Sequence, residues 1–181
     1  MPFLKSLPEN AVLFNVFRAY PGPARELLAY HEVALRGALP LGVAERELTS
    51  ALVSAINGCR YCRGVHTATA EVLGFAAGTV GALMGEIDKA AVDDRLKPIL
   101  HYAAKLTRQS DGLTQADADA VFAVVWDDQA LHDAVSVCAL FNFMNRLVEG
   151  LGITADSRYF AAAAERLVAG GYAGLLKILE T

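Results

Sequence analysis

A helical apolar stripe, cut at Asn57-Gly58 and resumed by a Cys-x-x-Cys-x-x-x-His pattern, constrains this chain more than any other feature of its 181 residues. Residues 47–66 read E-L-T-S-A-L-V-S-A-I-N-G-C-R-Y-C-R-G-V-H. Leu48, Ala51, Leu52, Ala55 and Ile56 recur at helical spacing and predict an amphipathic helix over 43–56. Asn-Gly is a turn signal, so a second helix is expected to begin near Cys59. Cys59 and Cys62 are spaced i, i+3, and Cys62 and His66 i, i+4. Residues three and four apart are neighbours on a helix surface, so the three side chains share a face. The inward stripe then reads Cys59, Cys62, His66, Thr69, Leu73. Both cysteines fall in the first turn, where unpaired N–H groups and the helix dipole favour a thiolate. The pattern suits a redox-active dithiol with a built-in base.

The remaining segments predict helices and no strands, hence an all-α fold in a single domain. Short apolar or amphipathic stretches over 11–20, 24–36, 79–84 and 115–126 are separated by Pro21-Gly22-Pro23, by Leu39-Pro40-Leu41-Gly42 and by recurrent glycines. Asp93-Asp94 is expected to cap a helix running to Arg108, with Leu96, Ile99, Leu100, Ala103 and Leu106 inward. Thr114 and Asp127 read as caps of the two following helices. The stretch 129–151 is apolar nearly all round, as for a central or interface-buried helix, with Asn142, Asn145, Arg146 and Glu149 as a buried polar seam. Asp156 caps a penultimate helix to residue 169, Gly170-Gly171 breaks it, and residues 172–179 form a terminal one.

Composition narrows the function classes. Hydrophobic residues make up 54% of the chain, yet no apolar run approaches the roughly 20 residues of a membrane span. The excess apolar content therefore points to a homo-oligomer. A net charge of −4 without a basic run argues against nucleic acid. The Met-Pro-Phe-Leu-Lys-Ser start lacks the regions of a signal peptide, and with only three cysteines a cytoplasmic protein is expected. Cys59, Cys62 and His66 with Glu47 could supply four zinc ligands, but crowding within two helical turns makes a poor closed site, so no metal is expected. Spacing alone reads Glu47 as a solvated first-turn carboxylate, His31 as a surface or interface residue, Arg60 and Arg63 as solvated flanks, and Cys138 as an inert core thiol.

Glu47, eleven residues, Cys59-Arg60-Tyr61-Cys62, three residues, His66 resembles the active-site signature of the alkylhydroperoxidase D family, within the carboxymuconolactone decarboxylase-like superfamily. Arg46-Glu47-Leu48, Ala55-Ile56-Asn57-Gly58-Cys59 and the segment Phe141-Asn142-Phe143-Met144-Asn145-Arg146 resemble the peroxidase-related branch. The resemblance covers about residues 10–152, leaving 153–181 as a C-terminal helical extension. It implies an oligomeric all-helical dithiol peroxidase for hydrogen peroxide or organic hydroperoxides, with Cys62 peroxidatic, Cys59 resolving, His66 the base and Glu47 orienting it or relaying protons. Tyr61 departs from the pattern, since the best-characterised members carry a second histidine there. No stretch resembles a flavin or nicotinamide site, so no cofactor is expected; an external dithiol, thioredoxin-like or lipoyl, would restore the pair. Cys59, nearer the helix mouth, is the thiol expected to meet it. Two other classes stay open: a thiol–disulfide oxidoreductase or redox sensor, and a decarboxylase-like non-redox enzyme using Glu47 and His66.

Overall fold

The computed structural model describes residues 1–180, and the elements among them are helical. In chain order they are α1 (Leu13–Ala19), α2 (Pro21–Arg36), α3 (Val43–Ile56), α4 (Arg60–Val72), α5 (Thr79–Gly85), α6 (Lys97–Arg108), α7 (Gln115–Phe122), α8 (Asp128–Gly150) and α9 (Ser157–Glu180). Three short 3-10 turns join α5, α6 and α7. The all-α expectation holds, and most predicted boundaries fall within a few residues.

The organising helix is α3. Every residue from Arg46 to Ala55 is buried. One side carries Leu48, Ala51 and Leu52 into an apolar cluster with α5 and α6. The other side sends Val53 into a second cluster with α1, α2, α4, α8 and α9. A helix buried all round must satisfy its own polar groups. Arg46 donates to the carbonyls of Ala34 (3.0 Å) and Gly37 (2.8 Å), Ser50 to that of Arg46 (2.7 Å), and Ser54 accepts from Asn145 (2.9 Å). The central position predicted for residues 129–151 thus belongs to α3. Helix α8 keeps one exposed edge, with Phe143 at 54% exposure.

Local signals account for the helix ends. Glu45 accepts from Gly42 N–H at the start of α3 (2.7 Å). Asp127 and Asp156 cap α8 and α9 through Ala130 N–H and Tyr159 N–H, each at 2.9 Å. Asp93 caps only a 3-10 turn, and α6 begins at Lys97, with Pro98 in its first turn where no N–H is needed. The Pro21-Gly22-Pro23 run, read as a stop for α1, is also the first turn of α2 for the same reason. Helix α7 ends at Phe122, short of the predicted residue 126, and Trp126 instead bonds the Arg95 carbonyl (2.7 Å). A kink at Gly171 (φ 60°, ψ −160°) splits α9 where the Gly170-Gly171 pair predicted a break. No helix among the described residues is long and apolar enough to cross a membrane.

Helices α4 and α9 touch through Gly64, where an added methyl would overlap the Phe160 ring. Gly64→Ala is therefore expected to destabilise the fold by about 1–3 kcal/mol through overpacking. Urea denaturation checks this, and Gly64→Ala with Phe160→Leu should regain part of the loss.

Candidate active site

The turn at 57–59 determines where the thiols sit. Gly58 adopts φ 72°, a left-handed conformation that closes α3, and Cys59 N–H returns to the Ser54 carbonyl (3.0 Å). Asn57 braces this turn by donating to the side-chain oxygens of Asn142 (3.1 Å) and Asn145 (2.9 Å) on α8. Of the polar seam predicted on α8, Asn145 is buried and Asn142 half-buried, whereas Arg146 and Glu149 are exposed. Arg146 still bonds the Asn142 carbonyl and side chain (2.7 and 3.1 Å).

Cys59 is the N-cap of α4, and Cys62 lies in the first turn. The two thiols are close enough to perturb each other's ionisation. The Cys62 thiol pulls the Cys59 thiol below its usual value, more than burial raises it. The Cys59 interaction and burial push Cys62 well up. Physically, the pair gives up one proton readily and holds the second, because two adjacent buried thiolates repel. Asn145 favours ionisation of Cys62, while the Glu149 carboxylate opposes it at both sulfurs. Both side chains are covered, Cys59 at 0% and Cys62 at 3% exposure. Cys59, expected nearer the helix mouth to meet a reductant, is thus fully buried. Arg60 and Arg63 are solvated, as their spacing suggested.

Glu47 departs most from the solvated reading of its spacing. It is fully buried (0%) between Arg36 and His66. Its Oε2 lies 2.6 Å from His66 Nδ1, and its Oε1 2.6 Å from Arg36 Nη1. Burial alone would raise the carboxyl pKa, but His66 and Arg36 outweigh it and hold Glu47 below the usual carboxylate range. Arg36 also donates to the Leu167 carbonyl (3.4 Å). Sequence reading did not find Arg36, because its partner is eleven residues away on another helix. Since a carboxylate only accepts, His66 Nδ1 carries the proton and Nε2 is the basic nitrogen. Among the described residues no hydrogen bond joins His66 to Cys62, although both line one cavity.

That cavity, about 250 Å³, is bounded mainly by apolar side chains of α1, α2, α4, α8 and α9. Cys62 and His66 reach it, and Cys59 does not. His31 lines it too, against the expectation of a surface or interface residue: it is buried (4%), with Nδ1 donating to the Leu27 carbonyl (2.7 Å). The signal was its helical register with Leu27, Leu28 and Leu35, which places it on the inward face of α2. Tyr61, inside the Cys-x-x-Cys, bonds the Tyr159 hydroxyl on α9 (2.8 Å). Cys138 is a core thiol near Thr107 (3.3 Å), and burial raises its pKa. No three His, Cys, Asp or Glu side chains among the described residues converge to hold a metal ion.

Fold and site together define an all-helical chain with a Cys-x-x-Cys pair and an anchored histidine at an apolar cavity. Residues 21–105 match the carboxymuconolactone decarboxylase family. A peroxidase-related protein from Silicibacter sp. TM1040 superposes with a TM-score of 0.76 at 25% identity, over 82% of this chain and 78% of that one. An alkylhydroperoxidase AhpD core, a peroxidase-related protein from Ralstonia eutropha JMP134, gives 0.76 at 24%, over 84% and 80%. A protein of unknown function from Agrobacterium tumefaciens gives 0.68 at 18%, over 78% and 97%. No curated protein matches the chain. The family match over 21–105 and the shared fold support the resemblance to the alkylhydroperoxidase D-like group of the carboxymuconolactone decarboxylase-like superfamily.

His31 makes a pH prediction. Burial lowers its pKa from 6.5 to about 4, more than the Leu27 bond raises it, with His66 lowering it and Glu47 raising it further. A folded pKa below the unfolded one means this stability is fully present above about pH 6.5 and is lost as pH falls toward 4. Between pH 7 and 5 the loss from this group is on the order of 2 kcal/mol. Urea unfolding at pH 7, 6 and 5 should show it in the wild type and a flatter profile in His31→Gln. An unchanged slope would assign the acid sensitivity elsewhere.

Proposed function

We propose that the chain is a dithiol peroxidase whose peroxidatic group is Cys62. The observation that carries this reading is that Cys62, and not Cys59, shares the apolar cavity with His66. A peroxide in that cavity can meet only one of the two sulfurs. The Cys62 proton leaves to His66 Nε2, whose other nitrogen is held by Glu47 (2.6 Å). The Cys62 sulfur attacks the terminal oxygen of R–O–OH and the O–O bond breaks, giving Cys62–SOH and RO⁻. The alkoxide takes the proton from His66 and leaves as ROH. Cys59, whose thiol ionises more easily, then attacks the Cys62 sulfur, forming the Cys59–Cys62 disulfide and releasing water. An external dithiol, thioredoxin-like or lipoyl, returns both thiols and is itself oxidised. A cytoplasmic setting would keep the pair reduced between turnovers.

A second reading, disulfide exchange without peroxide, draws on the Cys59 cap geometry, since a sulfur at a helix N-terminus is a ready thiolate. Variants of the pair separate the two. Cys59→Ser should react once with hydroperoxide and leave a trappable sulfenic acid on Cys62, without turnover. Cys62→Ser should give no fast reaction with peroxide, and His66→Ala should slow the first step by about 10²–10⁴-fold. Fast peroxide consumption by Cys62→Ser, with sulfenic acid on Cys59, would reverse the roles. Disulfide exchange with no peroxide reaction in the wild type would favour the second reading.

We also propose self-association. Apolar side chains stay exposed around a groove between α1, α2 and α8, with Tyr20 at 46%, Tyr30 at 47% and Phe143 at 54% exposure. Light scattering at micromolar concentration should give a dimer or larger, and a 19.3 kDa monomer would overturn this.

A further inference from the structure

The polar side chains along the cavity wall differ in what they leave free. Cys62 and His66 carry the chemistry proposed above. His31 donates through Nδ1 to the Leu27 carbonyl (2.7 Å), which leaves its Nε2 as an acceptor. The Tyr172 hydroxyl is sealed inside the protein and offers the cavity nothing. Tyr61 donates to the Tyr159 hydroxyl (2.8 Å). There remains Arg166, the only wall residue with a permanent charge among the described residues, and no carboxylate lines the cavity to answer it. Its partner among them is the Tyr159 ring, with the guanidinium 5.7 Å from the ring centroid.

Helix α9 puts this cation at the rim. Tyr159, Ala163, Arg166 and Leu167 fall at i, i+4, i+7 and i+8, hence on one face, and all four border the cavity. Ala163 and Leu167 are buried there, whereas Arg166 is exposed. Long helical side chains lean toward the N-terminus, so the Arg166 stem lies back over Tyr159 and leaves its head where the cavity meets water. The Tyr159 ring packs in turn on Tyr61 (centroids 5.6 Å apart), inside the Cys-x-x-Cys. A pocket with apolar walls and few polar groups takes its orientation from those groups.

Resting on the peroxidase reading above, we propose that Arg166 is a specificity-determining residue: the cavity takes an apolar organic hydroperoxide that carries a carboxylate, paired with the Arg166 guanidinium at the rim while the apolar body runs inward to Cys62 and His66. The planar guanidinium can give a carboxylate two parallel N–H···O bonds. Stacking on Tyr159 holds that fork without using its donors. The pair stays in contact with water, so its effect on affinity is a few-fold and falls with salt. The redox step keeps its balance: one hydroperoxy acid and two thiols give the hydroxy acid, water and the Cys59–Cys62 disulfide. Arg166 lies outside the 21–105 family segment, so this selectivity belongs to the C-terminal region and the chemistry to α3 and α4.

The test uses the full chain near neutral pH, where a fatty carboxylate is ionised. Octanoate and 1-octanol, which share a chain and differ in charge, are titrated by NMR into wild type, Arg166→Gln and Arg158→Gln. Arg158 is also exposed on α9 but does not border the cavity, so it controls for net charge. Arg166→Gln should bind octanoate about three- to fivefold more weakly than wild type, with a smaller change for 1-octanol, and Arg158→Gln should match wild type. In stopped flow with linoleic acid hydroperoxide and its methyl ester, Arg166→Gln should slow thiol oxidation by the acid about three- to fivefold more than by the ester. No octanoate binding in wild type, equal losses for octanoate and octanol in Arg166→Gln, or an equal octanoate loss in Arg158→Gln overturns the subsite. Rapid reaction with both hydroperoxides and no Arg166-dependent octanoate binding would overturn the subsite while leaving the peroxidase reading intact. Arg166-dependent octanoate binding in a wild type inert to every hydroperoxide would overturn the peroxidase reading, with the carboxylate subsite standing.

Discussion

The buried Glu47 carboxylate is the interaction on which the rest of the arrangement depends. A fully buried charge is tolerated only when paired and hydrogen-bonded. Glu47 meets that demand through Arg36 from α2 and His66 from α4, at 2.6 Å each. One carboxylate on the central helix therefore fixes the relative placement of three helices. Arg36 extends the line to α9 through the Leu167 carbonyl. Such a pair is weak evidence for stability in itself, because desolvation offsets much of the attraction. Its value lies in orientation, since it sets which nitrogen of His66 is free and where that nitrogen points.

The thiols depend on a second constraint, the backbone between α3 and α4. Gly58 lets the chain reverse within one residue, and Cys59 becomes both the last partner of α3 and the cap of α4. Its own N–H closes the preceding helix on the Ser54 carbonyl. The Asn57–Asn142–Asn145 bonds then pin this turn to α8. With both sulfurs covered, a reductant the size of a protein cannot reach the pair without local opening. The bonds at the turn are few and side-chain mediated, and that is where opening would cost least.

The sequence was most legible where one helix sufficed. The i, i+3 and i, i+4 spacing of Cys59, Cys62 and His66 needed only helical geometry, and the Asn57-Gly58 break only turn chemistry. The boundaries of α3, the caps Asp127 and Asp156, and the Gly170-Gly171 break were read on the same local grounds. What escaped were facts made by contacts between distant segments. Glu47 looked solvated on its own helix because Arg36 and His66 arrive from two others. His31 looked peripheral because its wall partners Phe141 and Tyr172 are more than a hundred residues on. Trp126 fell outside α7 because its indole N–H is taken by the Arg95 carbonyl. The resemblance to a family supplied a role for Glu47 that spacing alone did not.

The division between machinery and wall follows from these contacts. Glu47, Cys59, Cys62 and His66 lie within a twenty-residue span, held by short-range helix geometry and one buried ion-pair line. The cavity against which two of them work is assembled from α1, α2, α8 and α9, far apart in sequence. Tyr61 sits at the join, because its hydroxyl ties the Cys-x-x-Cys to Tyr159 of α9. Where the family it resembles carries a histidine inside the motif, this chain has a tyrosine that contacts its C-terminal helix. A site built this way exchanges polarity at the motif for enclosure of the cavity.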